Sequence, residues 1–174
     1  MLQIRIFHPT DSDGVRRLFA GGQMDFAKGT ELEQEVRSYI RRSLSGDLSD
    51  IPGHYLNAPC NNFWVAVADG EIKGMVGIQY RSDEEAELRR MSVASDTRRQ
   101  GIGRKLLETV ETFCREQGYQ RIQLTTATQL QPAIAMYQRY GFHLVGAGQS
   151  GKILTQRYVK DLEAPEIKAN TLCR

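Results

Sequence analysis

The strongest constraint on the fold is a segment in which a β-strand pattern passes through a short glycine-containing loop into an amphipathic helix. Residues 86–93 (AELRRMSV) have strand character, and a helical apolar repeat runs from Ile102 to Gly118. The loop between them contains RRQGIG at residues 98–103. Its glycines permit close backbone approach and the first helical amides are unpaired, which predicts an anion site surrounded by four basic side chains: Arg98, Arg99, Arg104 and Lys105.

Apolar patterns elsewhere indicate alternating strands and helices. LQIRIF near the N-terminus alternates like a strand, helices are predicted over about 11–20 and 30–44, and segment 21–29 between them has loop character. A long irregular connection covers 46–62, after which Asp69-Gly70 predicts the turn of a β-hairpin. The whole order is β-α-α-β-β-β-α-β-α-β-β, an α/β chain of seven strands and four helices.

Composition indicates one domain without a metal site. The chain has 174 residues, 40% of them apolar, which suffices for a core, and we predict a single domain over 1–162 and a C-terminal tail over 163–174. The balanced charge of +2 disfavours nucleic-acid or membrane-surface partners. The cysteines and histidines lack metal-ligand spacing, and the sequence has no apolar run of signal-peptide or membrane-span type. We therefore expect a cytoplasmic protein, either a monomer or a homodimer.

A second glycine-rich segment, GAGQSGKI at 146–153, differs at one position from the P-loop pattern G-x-x-x-x-G-K-[ST]. Ile153 replaces the hydroxyl that would bind magnesium, and the residues after it alternate like a strand instead of beginning a helix. We interpret this segment as a turn between the last two strands. Magnesium-dependent binding of ATP or GTP would support the alternative, a nucleotide-hydrolysing protein.

Two motifs together resemble the GNAT superfamily of acyl-CoA-dependent N-acyltransferases. The pattern [QR]-x-x-G-x-[GA] occurs as RRQGIG at 98–103, and A-x-x-x-Y-x-x-x-G-F occurs as AIAMYQRYGF at 133–142. The resemblance is strongest over 87–145, and segment 122–150 is similar to the camello-like branch, whose best-known members acetylate cysteine conjugates or free amino acids. It implies a GNAT fold with a mixed, strongly twisted sheet that splits near an acyl-CoA slot.

The resemblance also implies a site for acetyl-CoA as cosubstrate, with no metal. In the family, the coenzyme A pyrophosphate lies on loop amides and the pantetheine arm pairs with the end of the preceding strand. The residues at these positions are Met91, Ser92, Val93, Arg98, Arg99, Gln100, Gly101, Ile102, Gly103, Arg104 and Lys105. Family members often have an asparagine where this chain has Leu130, and Gln131 or Gln129 is the expected substitute.

Two catalytic residues follow from the same resemblance. Glu87 lies fourteen residues before Gly101, the spacing of the glutamate base in histone-acetylating relatives, and Glu84 and Glu85 are its competitors. Tyr137 occupies the motif position of the acid that protonates the coenzyme A thiolate. A base is needed because deprotonating a lysine-like amine of pKa about 10.4 at pH 7 costs roughly 4–5 kcal/mol, whereas an α-amine near 8 costs about 1 kcal/mol.

The function implied is transfer of an acetyl group from acetyl-CoA to a primary amine by direct attack in a ternary complex. The alternative is a noncatalytic acyl-CoA-binding or sensing domain, and a rival mechanism would use Cys60 or Cys114 as nucleophile, although Cys114 fits the apolar face of its helix. No motif identifies the acceptor. Its walls are expected from 21–30, 46–62 and the last hairpin, where Gln149, Ser150 and Lys152 are exposed candidates.

Overall fold

The computed structural model describes residues 1–163, and their secondary structure follows the predicted order. The strands are β1 (Gln3–Ile6), β2 (Asn62–Ala68), β3 (Glu71–Tyr80), β4 (Glu85–Val93), β5 (Arg121–Ala127), β6 (His143–Ser150) and β7 (Ile153–Asp161). The helices are α1 (Ser12–Ala27), α2 (Glu33–Ser45), α3 (Ile102–Gln117) and α4 (Gln131–Arg139). From residue 164 onward, the predicted C-terminal tail lies outside the described residues.

One mixed sheet contains all seven of these strands in the order β1-β2-β3-β4-β5-β7-β6. Strands β4 and β5 are its parallel pair within residues 1–163, joined by the α3 crossover, and their pairing covers only Glu85–Glu87 against Arg121–Gln123. Beyond these three residues the two strands are no longer paired. The predicted mixed sheet is therefore confirmed, with a split in its centre.

Both faces of the sheet are covered because its strands are apolar on both sides. In β2, Trp64 and Ala66 pack in the core beneath α3 and α4, whereas Phe63 and Val65 pack in the core beneath α1 and α2. This alternation follows the two-residue period of a strand. The sheet is thereby held between two helical layers, and its split lies between them.

Helix α1 is longer than the sequence analysis predicts. The predicted helix ends near residue 20 with a loop over 21–29, but the helix continues through Gly21 and Gly22 to Ala27. A glycine inside a helix is disfavoured by about 1 kcal/mol relative to alanine. Burial outweighs this preference, since Ala27 is buried and Met24 and Phe26 pack against the same core.

Both predicted hairpins are confirmed. Asp69 and Gly70 join β2 to β3 and have φ of 52° and 80°, the two positive values of a type I′ turn. The GAGQSGKI segment forms the end of β6, a turn at Gly151 with φ 56°, and the start of β7. A methyl group on Gly151 would lie 1.4 Å from Glu35 Oε1, so the tip of this hairpin rests on α2.

Candidate active site

A cleft of about 1290 Å³ lies where the sheet splits. Its walls come from the second half of α1, the end of β4, the loop and first turn of α3, and α4. Ten of the residues expected at the acetyl-CoA site line it: Met91, Ser92, Val93, Arg98, Arg99, Gly101, Ile102, Gly103, Arg104 and Tyr137. Four others, Glu87, Gln100, Lys105 and Gln131, are not among its lining residues.

The loop before α3 presents free backbone amides to this cleft. Arg99 and Gly101 both have left-handed backbone conformations, with φ of 67° and 78°, and α3 begins at Ile102. No side chain within residues 1–163 caps this helix end. The first amides of α3 are thus available to an anion, and the positive end of the helix dipole favours one there.

Gly103 has a packing role in addition to its amide. A methyl group at this position would lie 2.5 Å from the sulfur of Met136 on α4. Glycine therefore allows α3 and α4 to approach each other beside the cleft. The two glycines of the RRQGIG motif thus have different physical roles. Gly101 adopts a left-handed backbone conformation, and Gly103 allows the close approach of α3 and α4.

The basic side chains around the loop have different surroundings. Arg98 donates to Asp25 of α1 at 2.9 Å, and Arg104 forms an ion pair with Glu108 at 2.9 Å. These pairs are exposed, so each stabilises the fold little and an incoming anion can compete for the arginines. Lys105 instead faces a groove that also contains Trp64 on the far side of α3.

A bulge in β4 shapes the slot side of the cleft. Gly77 of β3 pairs with Arg89 and Met75 pairs with Ser92, so the single residue between them faces both Arg90 and Met91. Arg90 has φ 58°, in the left-handed region. An extra residue of this kind bends a strand and redirects its backbone. After the bulge, residues 91–93 line the cleft where β5 has separated.

Tyr137 projects from α4 into the cleft lining. Its side chain is 4% exposed and its ring contacts Phe142 edge-to-face, with 5.8 Å between ring centroids. The hydroxyl has no hydrogen-bond partner among residues 1–163, and it is therefore available to a ligand. Burial raises the pKa of Tyr137 above its ordinary value, which keeps the phenol protonated at neutral pH.

Glu87 lies at the last paired position before the split, opposite Gln79 of β3 and Gln123 of β5. Its side chain is 16% exposed and forms an ion pair with Arg81. Glu85, two residues earlier, lies 4.0 Å from Arg121 at the other end of the parallel pairing. Glu87 is thus nearer to the split than its competitor, but it lies outside the cleft lining.

The two glutamines after β5, Gln129 and Gln131, are not equally placed to substitute for the family's asparagine. The side-chain amide of Gln131 donates to the Thr128 carbonyl at 2.6 Å, so it is engaged within its own turn. Gln129 and Leu130 line the cleft beside it. Gln129 is therefore better placed than Gln131 to contact a bound cosubstrate.

The Cys114 thiol is a poor candidate for the nucleophile of the rival mechanism. Cys114 is completely buried, and burial strongly raises the pKa of its thiol, so a reactive thiolate is disfavoured. Within residues 1–163, no three or more His, Cys, Asp or Glu side chains are grouped as metal ligands would be. No helix in the same range has the length and apolar character needed to cross a membrane.

Sequence comparison identifies the family to which this chain belongs. Residues 30–142 match the model of the acetyltransferase (GNAT) family. The chain is a member of the GNAT acetyltransferase family. N-acetyltransferase 8 of Rattus norvegicus is 36% identical over 118 residues, which cover 65% of this chain and 53% of that protein. The probable N-acetyltransferase camello of Xenopus tropicalis is 39% identical over 113 residues, covering 64% and 52%. The chain spans about half the length of these curated relatives.

Solved structures agree with the GNAT fold. A GNAT-family acetyltransferase from Staphylococcus aureus Mu50 aligns with a TM-score of 0.79 at 23% identity, covering 94% of this chain and all of that one. The PaiA N-acetyltransferase of Thermoplasma acidophilum, solved in complex with coenzyme A, aligns with a TM-score of 0.77 at 19% identity, covering 93% and 99%. These TM-scores establish the shared fold, and the family model establishes the membership.

Two features of the GNAT site were missed by the sequence analysis. The second half of α1 lines the cleft through Gly22, Gln23, Asp25 and Phe26, although segment 21–29 was predicted as a loop. The spacing of Phe19 and Phe26, seven residues apart, continues the helical repeat and could have revealed this extension. The second feature is the burial of Arg90, for which the local sequence offers no signal.

Proposed function

We propose that this GNAT domain transfers an acetyl group from acetyl-CoA to a primary amine by direct attack in a ternary complex. The observation that carries the proposal is the convergence on one cleft of the free amides before α3, the bulged end of β4 and the Tyr137 hydroxyl. The names of the N-acetyltransferase relatives support the same activity.

The binding role falls to the backbone and the arginines. The pyrophosphate of coenzyme A would lie on the amides at residues 101–104, with Arg98 and Arg99 beside it. The pantetheine arm would lie along Met91–Val93, where β4 has no paired neighbour on its β5 side. This arrangement would place the thioester near Tyr137, which lines the same cleft.

Starting from the ammonium ion, the chemistry requires two protons to leave the nitrogen and one proton to reach the thiolate. Glu87 would accept the ammonium proton, directly or through water, and the neutral amine would then attack the thioester carbonyl. As the tetrahedral intermediate collapses, the nitrogen loses its second proton to water and the carbon–sulfur bond breaks. Tyr137 would donate its proton to the sulfur and then regain one from solvent. The Tyr137 phenol is protonated at neutral pH. Although burial makes it a weaker acid, burial of the thiolate formed beside it would raise the proton affinity of the sulfur as well.

The acceptor would enter on the side opposite the pyrophosphate. The parts of the chain that could line its path are the end of α1, the connection 46–62 and the β6–β7 tip, which already rests on α2. Gln149 donates to the Gly151 carbonyl at 2.6 Å and supports its own turn, which leaves Ser150 and Lys152 as the freer polar contacts. A cytoplasmic location, and partners limited to acetyl-CoA and the amine, remain predictions that cell fractionation and co-purification can check.

A panel assay tests this function. The full chain is incubated with acetyl-CoA and with free amino acids, cysteine S-conjugates, polyamines or peptides, and thiol release and N-acetyl product are both measured. We expect stoichiometric thiol and product with at least one class of amine. Tight binding of acetyl-CoA without thiol release for any class would favour the sensing domain instead.

A further inference from the structure

The left-handed residue of the β4 bulge is an arginine buried inside the protein. The Arg90 side chain is 5% exposed, and its guanidinium lies on the α2 side of the sheet, 5.1 Å from the centre of the Phe19 ring. Its ion-pair partner, Asp47, is 8% exposed and lies in the irregular connection after α2. The bulge is thus attached to a segment 43 residues earlier in the chain.

Every polar group of this cluster has a partner. Arg90 donates to both carboxylate oxygens of Asp47, at 2.9 and 2.5 Å, and to Tyr39 Oη at 2.8 Å and Ser43 Oγ at 3.0 Å. The Tyr55 hydroxyl also donates to Asp47. Burial opposes ionisation of Asp47, yet the hydrogen bonds from Arg90 and Tyr55 hold its pKa below the usual range, so the pair is ionised at neutral pH.

The conformation of Arg90 needs such support. For an L residue other than glycine, the left-handed region is disfavoured by about fivefold to thirtyfold. A residue in this state persists only where its surroundings impose it. The two hydrogen bonds to Asp47 fix the position of the guanidinium. The Arg90 side chain reaches this position from the bulged backbone, so the bonds favour the bulged conformation. The next three residues, Met91–Val93, form the wall of the cleft.

We propose that Asp47 is a positioning residue for acetyl-CoA: by holding Arg90, it maintains the β4 bulge that presents the backbone of Met91–Val93 to the pantetheine arm. This role rests on the proposed function, since it assumes that acetyl-CoA occupies the cleft. Asp47 does not line the cleft, and it would act on the cosubstrate only through the conformation of β4.

Two double variants separate positioning from a general structural role. D47N/R90G and D47N/R90A both remove the two buried charges together, which avoids leaving one of them unpaired. They differ by one methyl group at residue 90, where the native side chain already has a Cβ and no new clash arises. Glycine adopts φ 58° freely, whereas alanine does not.

Coenzyme A binding to these variants of the whole 174-residue chain is measured by calorimetry, with thermal unfolding recorded in parallel. We expect D47N/R90A to bind coenzyme A about fivefold to thirtyfold more weakly than D47N/R90G, with an unchanged KM for the amine. Equal affinity of the two double variants would overturn the inference while the proposed function stands.

The single variant D47N provides a second test in which Arg90 itself is not substituted. It should raise the Kd for coenzyme A at least about fivefold while the folded protein retains its KM for the amine. A D47N variant that binds coenzyme A like the wild type would also overturn the positioning role. If the wild-type chain binds no coenzyme A, both the proposed function and this inference fail.

Discussion

Replacing Gly101 by alanine tests the anion cradle because this substitution adds backbone strain without a clash. Gly101 has φ 78° and ψ 4°, and no atom lies within 4 Å of the position that a Cβ would take. The left-handed conformation costs an L residue about 1–2 kcal/mol. Gly118, at the other end of α3, has φ 86° and ψ 12° and the same open space. Gly118→Ala is therefore a matched control away from the cleft.

The strain in Gly101→Ala divides between stability and affinity. In the free protein, the loop can lower this strain by changing its conformation. The loop must then return to the strained conformation when the pyrophosphate binds to the amides of α3, which weakens binding. Full relief would raise the Kd for coenzyme A by about fivefold to thirtyfold, and no relief would lower the free energy of unfolding by about 1–2 kcal/mol. The loss of coenzyme A binding free energy and the loss of unfolding free energy should together equal the strain of about 1–2 kcal/mol.

Titration calorimetry with coenzyme A and urea unfolding measure both losses for the wild type and the two variants. Because Gly101 is exposed in the loop, we expect local relief, and hence coenzyme A binding at least about fivefold weaker in Gly101→Ala. Gly118→Ala should lose only stability. Equal coenzyme A affinity of the two variants, together with a loss of unfolding free energy in Gly101→Ala clearly below about 1 kcal/mol, would refute the placement of the pyrophosphate at the start of α3.

Three further substitutions, one of them with a control variant, test the chemistry and the electrostatics. Tyr137→Phe keeps the packed ring but removes the acid, so kcat measured by thiol release should fall about 100-fold with little change in the KM for acetyl-CoA; unchanged turnover would exclude the acid role. Glu87→Gln should lower kcat by at least about tenfold at neutral pH, whereas Glu85→Gln should not, and equal rates would exclude Glu87 as the base. Asp11, whose pKa is lowered chiefly by its hydrogen bond with Arg5, should stabilise the fold above about pH 4 and lose this contribution as the pH falls further. Chemical unfolding of Asp11→Asn should therefore show a deficit at pH 7 that shrinks below about pH 4, and a deficit independent of pH would contradict the ion pair.

The fold could be predicted because its signals are local. The strand patterns, the Asp69-Gly70 turn and the glycine at the end of α3 each depend on nearby residues, and the structure agrees with them. The GAGQSGKI segment was assigned correctly to a turn because the alternation after it is a strand pattern. The error at the end of α1 arose because Gly21 and Gly22 indicate a loop locally, whereas the packing of Phe26 against the core is a tertiary effect.

The arrangement of the site was predictable only in part. The cradle loop and Tyr137 follow from short motifs, and both line one cleft. The engagement of Gln131 by its own turn depends on side-chain conformation, and the link between Arg90 and Asp47 joins residues 43 positions apart. Neither contact has a periodic or motif signal in the sequence, so each required the three-dimensional structure.

The most direct test of acetyl transfer follows an isotopically labelled acetyl group from acetyl-CoA while free thiol is measured in the same sample. The proposed function predicts that the label appears in an N-acetyl product, with one thiol released for each acetyl group transferred, and that the variant Tyr137→Phe slows both together. Saturable binding of acetyl-CoA with no amine-dependent thiol release, or label that remains on the protein instead of passing to an amine, would contradict direct transfer in a ternary complex.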